Sequence, residues 1–524
     1  MAKKKASVML ATLTAVTLLA AACSTNGNAG NTNNTGNSGT PAATNNKAEA
    51  PAAEEKPKEP FKITMMANLH EPETPVDTIE KLLEEKTNTE LDIQWVPDGS
   101  YDEKMNASFA TGQLPMATYV KNQTSLIMMR AAIRNDQFWE IGPYLADYPN
   151  LAKLDPNVLK NTSVDGKIYA LYQERPLSRQ GVIFRKDWAD KLGIGAPTTT
   201  DEFFAMLEKF TKEDPDGNGK NDTIGLTDRS DFVYGAFKTV ASWFGTPNNW
   251  GEQDGKLVPE FMTAEYMETM QFFKRIHSSG YMNQDFPVTS KTDQQNLLIT
   301  GKAGVYVGSM ADVLSLHNKI IEANPNAVLD VHNQVKGPDG EYGIWAIPGY
   351  GSVVLFPKSS VKTEDDLKQV LAFYDQLVGT ELGNLIYWGV EGKHHTLQDG
   401  KVVPSPDTDM TTREVKPYQS IQIGGPSTIT DFYVPIYDLP SKAKAEELIL
   451  DNNNYLIHDP AAALDSDTFT QDGARLQEII KDASYKFMLG NIDEAGYQAA
   501  VDNWLKQGGQ KIIDEFNASN AASK

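Results

Sequence analysis

The chain has 524 residues and carries 48 Lys and Arg against 70 Asp and Glu, a net charge of −22. That balance argues against a nucleic-acid binder or an anionic-membrane binder, both of which need basic patches. The single cysteine excludes an intrachain disulfide and a cysteine-based zinc site, and the length predicts a large core divided between two or more domains.

Lys3, Lys4 and Lys5 precede a run of small and apolar residues from Ala6 to Ala22, and the only cysteine, Cys23, ends that run. A charged n-region, a short apolar segment and a cysteine at its end read as a lipoprotein signal over 1–22. The junction resembles a lipobox, although Ala20 stands where Leu is usual and Leu19 comes one residue early. On this reading Cys23 is lipidated and becomes the new N-terminus, holding the protein at the extracellular face of the cell membrane. Burial of acyl methylenes, at ~0.8 kcal/mol each, supplies the anchor. Residues 24–60 contain no aromatic residue and no Val, Leu, Ile or Met. Such a segment cannot build a core, and 23–60 reads as a disordered tether reaching roughly 35 Å.

Folded structure is expected from Phe61. Phe61–Ala67 reads as a strand, and Thr74-Pro75 reads as the start of a helix bearing Val76, Ile79, Leu82 and Leu83. A second strand over Leu91–Val96, a helix over Met105–Ala110 and a third strand over Ala117–Val120 follow. This alternation predicts a mostly parallel sheet. Capping-box signals at Thr199–Glu202 and Thr363–Asp366 open two further helices.

Residues 214–222 place side-chain oxygens at loop positions 1, 3, 5 and 9, on Asp214, Asp216, Asn218 and Asp222. Gly219 falls at position 6, where a sharp turn is needed, and the Lys220 carbonyl falls at position 7. This is the calcium spacing of an EF-hand loop, except that Gly225 replaces the bidentate glutamate of position 12. A structural calcium ion is expected there. The adjacent His394 and His395 have no further His or Cys nearby and do not read as a metal pair. No catalytic constellation is recognisable, and an enzyme is not expected.

Several short motifs follow one another along the chain: Gly112–Pro115, Tyr144–Asn150, Asp165–Tyr169, Phe184–Ile194, Gly301–Gly304 and Val390–His394. With the tether and the calcium loop, this order resembles the family 1 extracellular solute-binding proteins, in particular the lipoprotein group serving carbohydrate ABC transporters in Paenibacillus- and Bacillus-like bacteria. Met116 and Trp388 depart from the usual family residues. The resemblance implies an α/β, two-lobed fold of the periplasmic-binding-protein kind (type II, maltose-binding-protein-like), with crossover hinge segments near 175–182, 346–352 and 400–410. One lobe would comprise 61–178 and 351–405; the other would comprise 179–350 and 406–524, with the calcium loop. It also implies an oligosaccharide ligand held between the lobes, ABC permease subunits as partners, and a monomer. A lipoprotein feeding a sensor kinase and a surface polysaccharide-degrading enzyme are the alternatives.

Sugar sites combine aromatic platforms with planar polar groups. Trp243, Trp250, Trp345 and Trp388 lie in or near loops and are the candidate platforms, while Trp95 and Trp188 read as structural. In this architecture ligands meet the carboxyl ends of strands, which brings in Asn68, Glu71, Lys121, Arg179 and Ser309 as candidate polar contacts.

Overall fold

The computed structural model describes residues 59–71, 73–121 and 123–523; the expectations for the signal, Cys23 and nearly all of the tether lie outside the described residues. The chain begins its fold on the strand Phe61–Leu69, where Ile63, Met65, Met66 and Ala67 are all buried. A strand apolar on both faces needs cover on both faces. One cover is the helix Thr78–Thr87, which buries Ile79 and Leu83 and stops at Asn88 in the left-handed region. The helix starts three residues later than Thr74-Pro75 suggested, with Asp77 in the N-cap position. Val76 is exposed, and its carbonyl accepts from the Tyr418 hydroxyl at 2.9 Å, which holds this stretch outside the helix.

Two sheets organise the molecule. The first runs in the order Thr89–Pro97, Phe61–Leu69, Ala117–Val120, Tyr350–Leu355, Ala170–Glu174. The second runs Leu329–His332, Gln180–Arg185, Ala303–Ser309, Ile224–Thr227. Neither is mostly parallel, contrary to expectation. Tyr350–Leu355 lies antiparallel to both its neighbours, and Gln180–Arg185 likewise, because each enters its sheet directly from a segment crossing between lobes. Parallel pairing survives where a helix separates the strands, as between Phe61–Leu69 and Thr89–Pro97.

Each sheet has its own core. The first gathers Ile63, Val120, Leu171, Val354 and Tyr374. The second gathers Phe184, Phe203, Val240, Phe273 and Val305, sealed by Leu476 and Phe487 of the long helix Asp467–Met488 and by Trp504 and Phe516 beyond it. The chain passes between cores after Glu174 and again between Trp345 and Tyr350. The third crossing differs from the sequence expectation near 400–410. Val415, Tyr418, Ile421, Ile423 and Ile429 all pack in the first core, so the chain leaves it only after Ile429. Two short hairpin strands, His395–Gln398 and Lys401–Pro404, occupy the stretch where the crossing was expected.

Both capping signals hold. The Thr363 hydroxyl accepts from the Asp366 amide and the Asp366 carboxylate accepts from the Thr363 amide, a reciprocal pair, the Thr363 cap alone stabilising by about 1 kcal/mol. At Thr199 only half the pair forms, since Glu202 reaches back to the amide and hydroxyl of Thr198. Among the described residues no helix is long and apolar enough to cross a membrane.

Candidate functional site

A cavity of about 680 Å³ opens between the two halves of the molecule. One wall comes from the first half, with Ile127 and Arg130 of the helix Gln123–Arg134 and with Asn161. The opposite wall comes from the second half, with Tyr234, Lys238, Asn249, Glu260, Trp345 and Asp459.

The aromatic part is built on the strand Ile344–Trp345, which pairs in parallel with Leu456–Ile457. The Trp345 indole N–H donates to the Thr239 hydroxyl at 3.1 Å, and its backbone amide donates to the Ser242 hydroxyl at 3.0 Å. Two residues of the helix Ala236–Trp243 therefore fix the ring. Tyr234 meets it edge-on at 5.6 Å between centroids and is 50 % exposed, whereas Trp345 is 3 % exposed. Tyr234 thus offers the free surface and Trp345 the backing. The loop under Tyr234 is braced: Asp231 accepts from the amides of Val233 and Tyr234, and Arg229 donates to the Tyr234 carbonyl.

Polar groups on this wall are tied to one another. Lys238 is buried and donates to Asn249 and Glu260. The Asn249 side-chain amide donates to Asp459 at 2.9 Å. Burial pushes the Asp459 carboxyl up, against that hydrogen bond and one from the Ala461 amide. Facing them, Arg130 is 4 % exposed and donates to the Leu464 carbonyl at 3.0 Å and to Asp465.

Beneath the Tyr234 loop, Asp228 is 2 % exposed and accepts from the Ala236 amide at 2.9 Å. Burial raises its carboxyl to about 7. The folded protein then keeps this proton up to about pH 7, while the unfolded chain releases it near pH 4. Stability falls as pH rises through that window and levels off above it. Asp228→Asn is expected to gain on the wild type by up to about 4 kcal/mol between pH 4 and pH 8. Melting curves of both proteins across that range check this, and a difference independent of pH would contradict it.

Of the residues proposed from sequence as ligand contacts, Trp345 lines the cavity, as does Trp250. Trp243 does not. It is buried in the second core, edge-on to Phe203 at 5.3 Å. Trp388 packs with Tyr387 and Phe432 and donates its N–H to the Tyr433 carbonyl at 3.0 Å. Asn68 and Lys121 converge on Asp98 at the carboxyl ends of the first sheet, each 2.8 Å away, and Glu71 follows two residues beyond Leu69. Arg179 is exposed at the first crossing, and its carbonyl accepts from the Met310 amide. The Ser309 hydroxyl is buried without a partner among the described residues, across the strand pair from Gln180. None of these five lines the cavity. Arg130, Tyr234, Lys238 and Asp459 were missed. No short motif marks them, and they meet only because three separated stretches of chain fold onto one opening.

The 214–222 loop is held by its fifth-position residue. The Asn218 side-chain amide lies between Asp216 and Asp222, at 2.8 and 2.9 Å, and the amides of Asn218 and Gly219 donate to the two Asp214 oxygens. Lys302 pairs with Asp222 at 2.8 Å. Among the described residues no group of three His, Cys, Asp or Glu side chains is gathered closely enough to hold an ion. The glycine at position 12 has a packing cause. A Cβ on Gly225 would lie 2.5 Å from Leu207 Cα, because the strand Ile224–Thr227 presses on the helix Thr200–Lys212.

A family model described as bacterial extracellular solute-binding protein matches residues 70–379. Over 470 residues the chain is 41 % identical to the polygalacturonan/rhamnogalacturonan-binding protein YtcQ of Bacillus subtilis (strain 168), covering 89 % of this chain and 93 % of that one. Lipoprotein LipO of the same organism is 35 % identical over 469 residues, covering 88 % and 93 %. An HMO-binding, ABC-transporter-associated solute-binding protein from Bifidobacterium longum infantis shares the fold, with a TM-score of 0.69 at 17 % identity over 89 % of this chain and 99 % of that one.

Proposed function

The chain belongs to the bacterial extracellular solute-binding protein family, and from that premise we propose that it captures a uronate-containing oligosaccharide between its lobes and delivers it to an ABC importer. The observation that carries this reading is the cavity itself. It pairs a half-exposed tyrosine seated on a tryptophan with a buried arginine on the opposite wall. An aromatic face suits the C–H face of a sugar ring, and a guanidinium suits a carboxylate. The name of the relative YtcQ points to the same class of polysaccharide. In this reading the protein performs no reaction; closing around the ligand is the signal a permease reads.

The loop 214–222 is proposed to hold a structural calcium ion. Its donor chemistry fits, with three carboxylates, one side-chain amide that needs only to turn its oxygen inward, and the Lys220 carbonyl. Binding would exchange the Lys302–Asp222 pair for the cation. Cys23 is proposed as the lipid attachment that places the protein on the outer membrane face, a reading in line with the name of the relative LipO.

A thermal-shift panel tests the ligand class. Oligogalacturonides and rhamnogalacturonan fragments are expected to raise the melting temperature, since ligand at 100 times its dissociation constant adds ~2.7 kcal/mol. A response confined to peptides or amino acids would contradict the proposal.

A further inference from the structure

Arg130 contacts two groups, both on the opposite side of the opening. Its guanidinium meets the Leu464 carbonyl at 3.0 Å and the Asp465 carboxylate, while its Nε–H has no partner among the described residues although the side chain is 5 % exposed. Asp465 also bonds Arg134, so both its oxygens are held by arginines of the facing helix. The two arginines are not equivalent. Arg134 keeps a fork to Asp165 of its own half, at 2.8 and 2.9 Å. Among the described residues Arg130 has no hydrogen-bonded carboxylate of its own half, although its charge acts on Asp165, so separation from Asp465 leaves a desolvated cation with spare donors. Behind the cavity wall, the Tyr350 hydroxyl is buried without a partner among the described residues and lies within the field of the Arg130 charge.

The cations on the far wall already have partners: Lys238 is paired with Glu260 and Lys481 with Glu478. The cavity is also lined by Asp231, Asp459 and Asp465. A carboxylate-bearing ligand entering it would be repelled unless one acidic group withdrew from a cation. Asp465 alone among these acids is tied by its side chain only to the opposite half of the molecule.

We propose that Arg130 is the specificity-determining residue that reads a carboxylate of the ligand, and that Asp465 is its displaceable internal substitute, occupying the guanidinium when no acidic ligand is present. The proposal rests on the reading of the chain as an oligosaccharide-binding protein. The ligand carboxylate takes the place of Asp465 on the guanidinium, and a neighbouring ligand hydroxyl takes the free Nε–H. Only charge partners are exchanged.

The test is calorimetric titration of the full-length protein with trigalacturonate and with its carboxyl-reduced trisaccharide, at one salt concentration. Asp465→Asn is expected to bind trigalacturonate about tenfold more tightly, or ~1.4 kcal/mol, because the internal competitor is weakened. Its affinity for the reduced sugar should stay within twofold. Arg130→Gln should lose at least tenfold for trigalacturonate and little for the reduced sugar. Should Arg130→Gln fold poorly, the Asp465→Asn arm decides alone. Equal effects on both sugars, or weaker trigalacturonate binding by Asp465→Asn, would overturn the proposal. Binding of only the reduced sugar would overturn it while leaving the oligosaccharide reading intact, and binding of neither would remove both.

Discussion

Tyr234→Ala is expected to weaken oligosaccharide binding about 10- to 100-fold while leaving the melting temperature close to that of the wild type. The ring is half exposed, so its removal opens little of the core. What it removes is the free aromatic surface at the cavity, worth ~1.5–3 kcal/mol of contact with a sugar face. Tyr234→Phe keeps that surface and should stay within a few-fold of the wild type. Trp345→Ala should lose both affinity and stability, because the indole is buried and bonded to Thr239. Calorimetry and melting curves on the three variants separate these effects. Normal affinity in Tyr234→Ala would place the sugar elsewhere.

Chelation has the second large expected effect. If the loop 214–222 carries calcium at 100 times its dissociation constant, removal costs ~2.7 kcal/mol. The melting temperature should then fall by a few degrees on adding chelator and recover with calcium, but not with an equal concentration of magnesium, whose preferred shell is tighter and keeps its waters. Without the ion, Asp214, Asp216 and Asp222 are left to the amides of Asn218 and Gly219 and to Lys302. Asp216→Ala should melt like the chelated wild type and show no response to calcium. Identical melting of wild type with and without chelator would remove the ion from the account.

Local signals carried far in this sequence. Ala117–Val120 is the strand its alternation with the flanking helices suggested, and the Thr363 cap forms in full, because both depend on residues within a few positions of each other. The two-lobed fold followed from the family resemblance that the ordered motifs carry. What was not legible depends on distant partners. The antiparallel entry of Tyr350–Leu355 follows from where the chain re-crosses, and no local pattern records that. The segment 415–429 returns to the first core through Tyr418 and Ile421, which in sequence look like any apolar pair. Trp243 and Trp345 have similar sequence surroundings, yet one packs on Phe203 in the core and the other lines the opening. Arg130 lies in an otherwise ordinary amphipathic helix, and the groups it meets, the Leu464 carbonyl and the Asp465 carboxylate, come from 334 and 335 residues away.

The most direct measurement is a crystal structure of the protein grown with trigalacturonate. The account predicts density for the sugar in the opening between the lobes, one ring against Tyr234 over Trp345 and a carboxylate within hydrogen-bond distance of Arg130, with Asp465 turned away. Density bound outside that opening, or a sugar in it that touches neither Tyr234 nor Arg130, would contradict it.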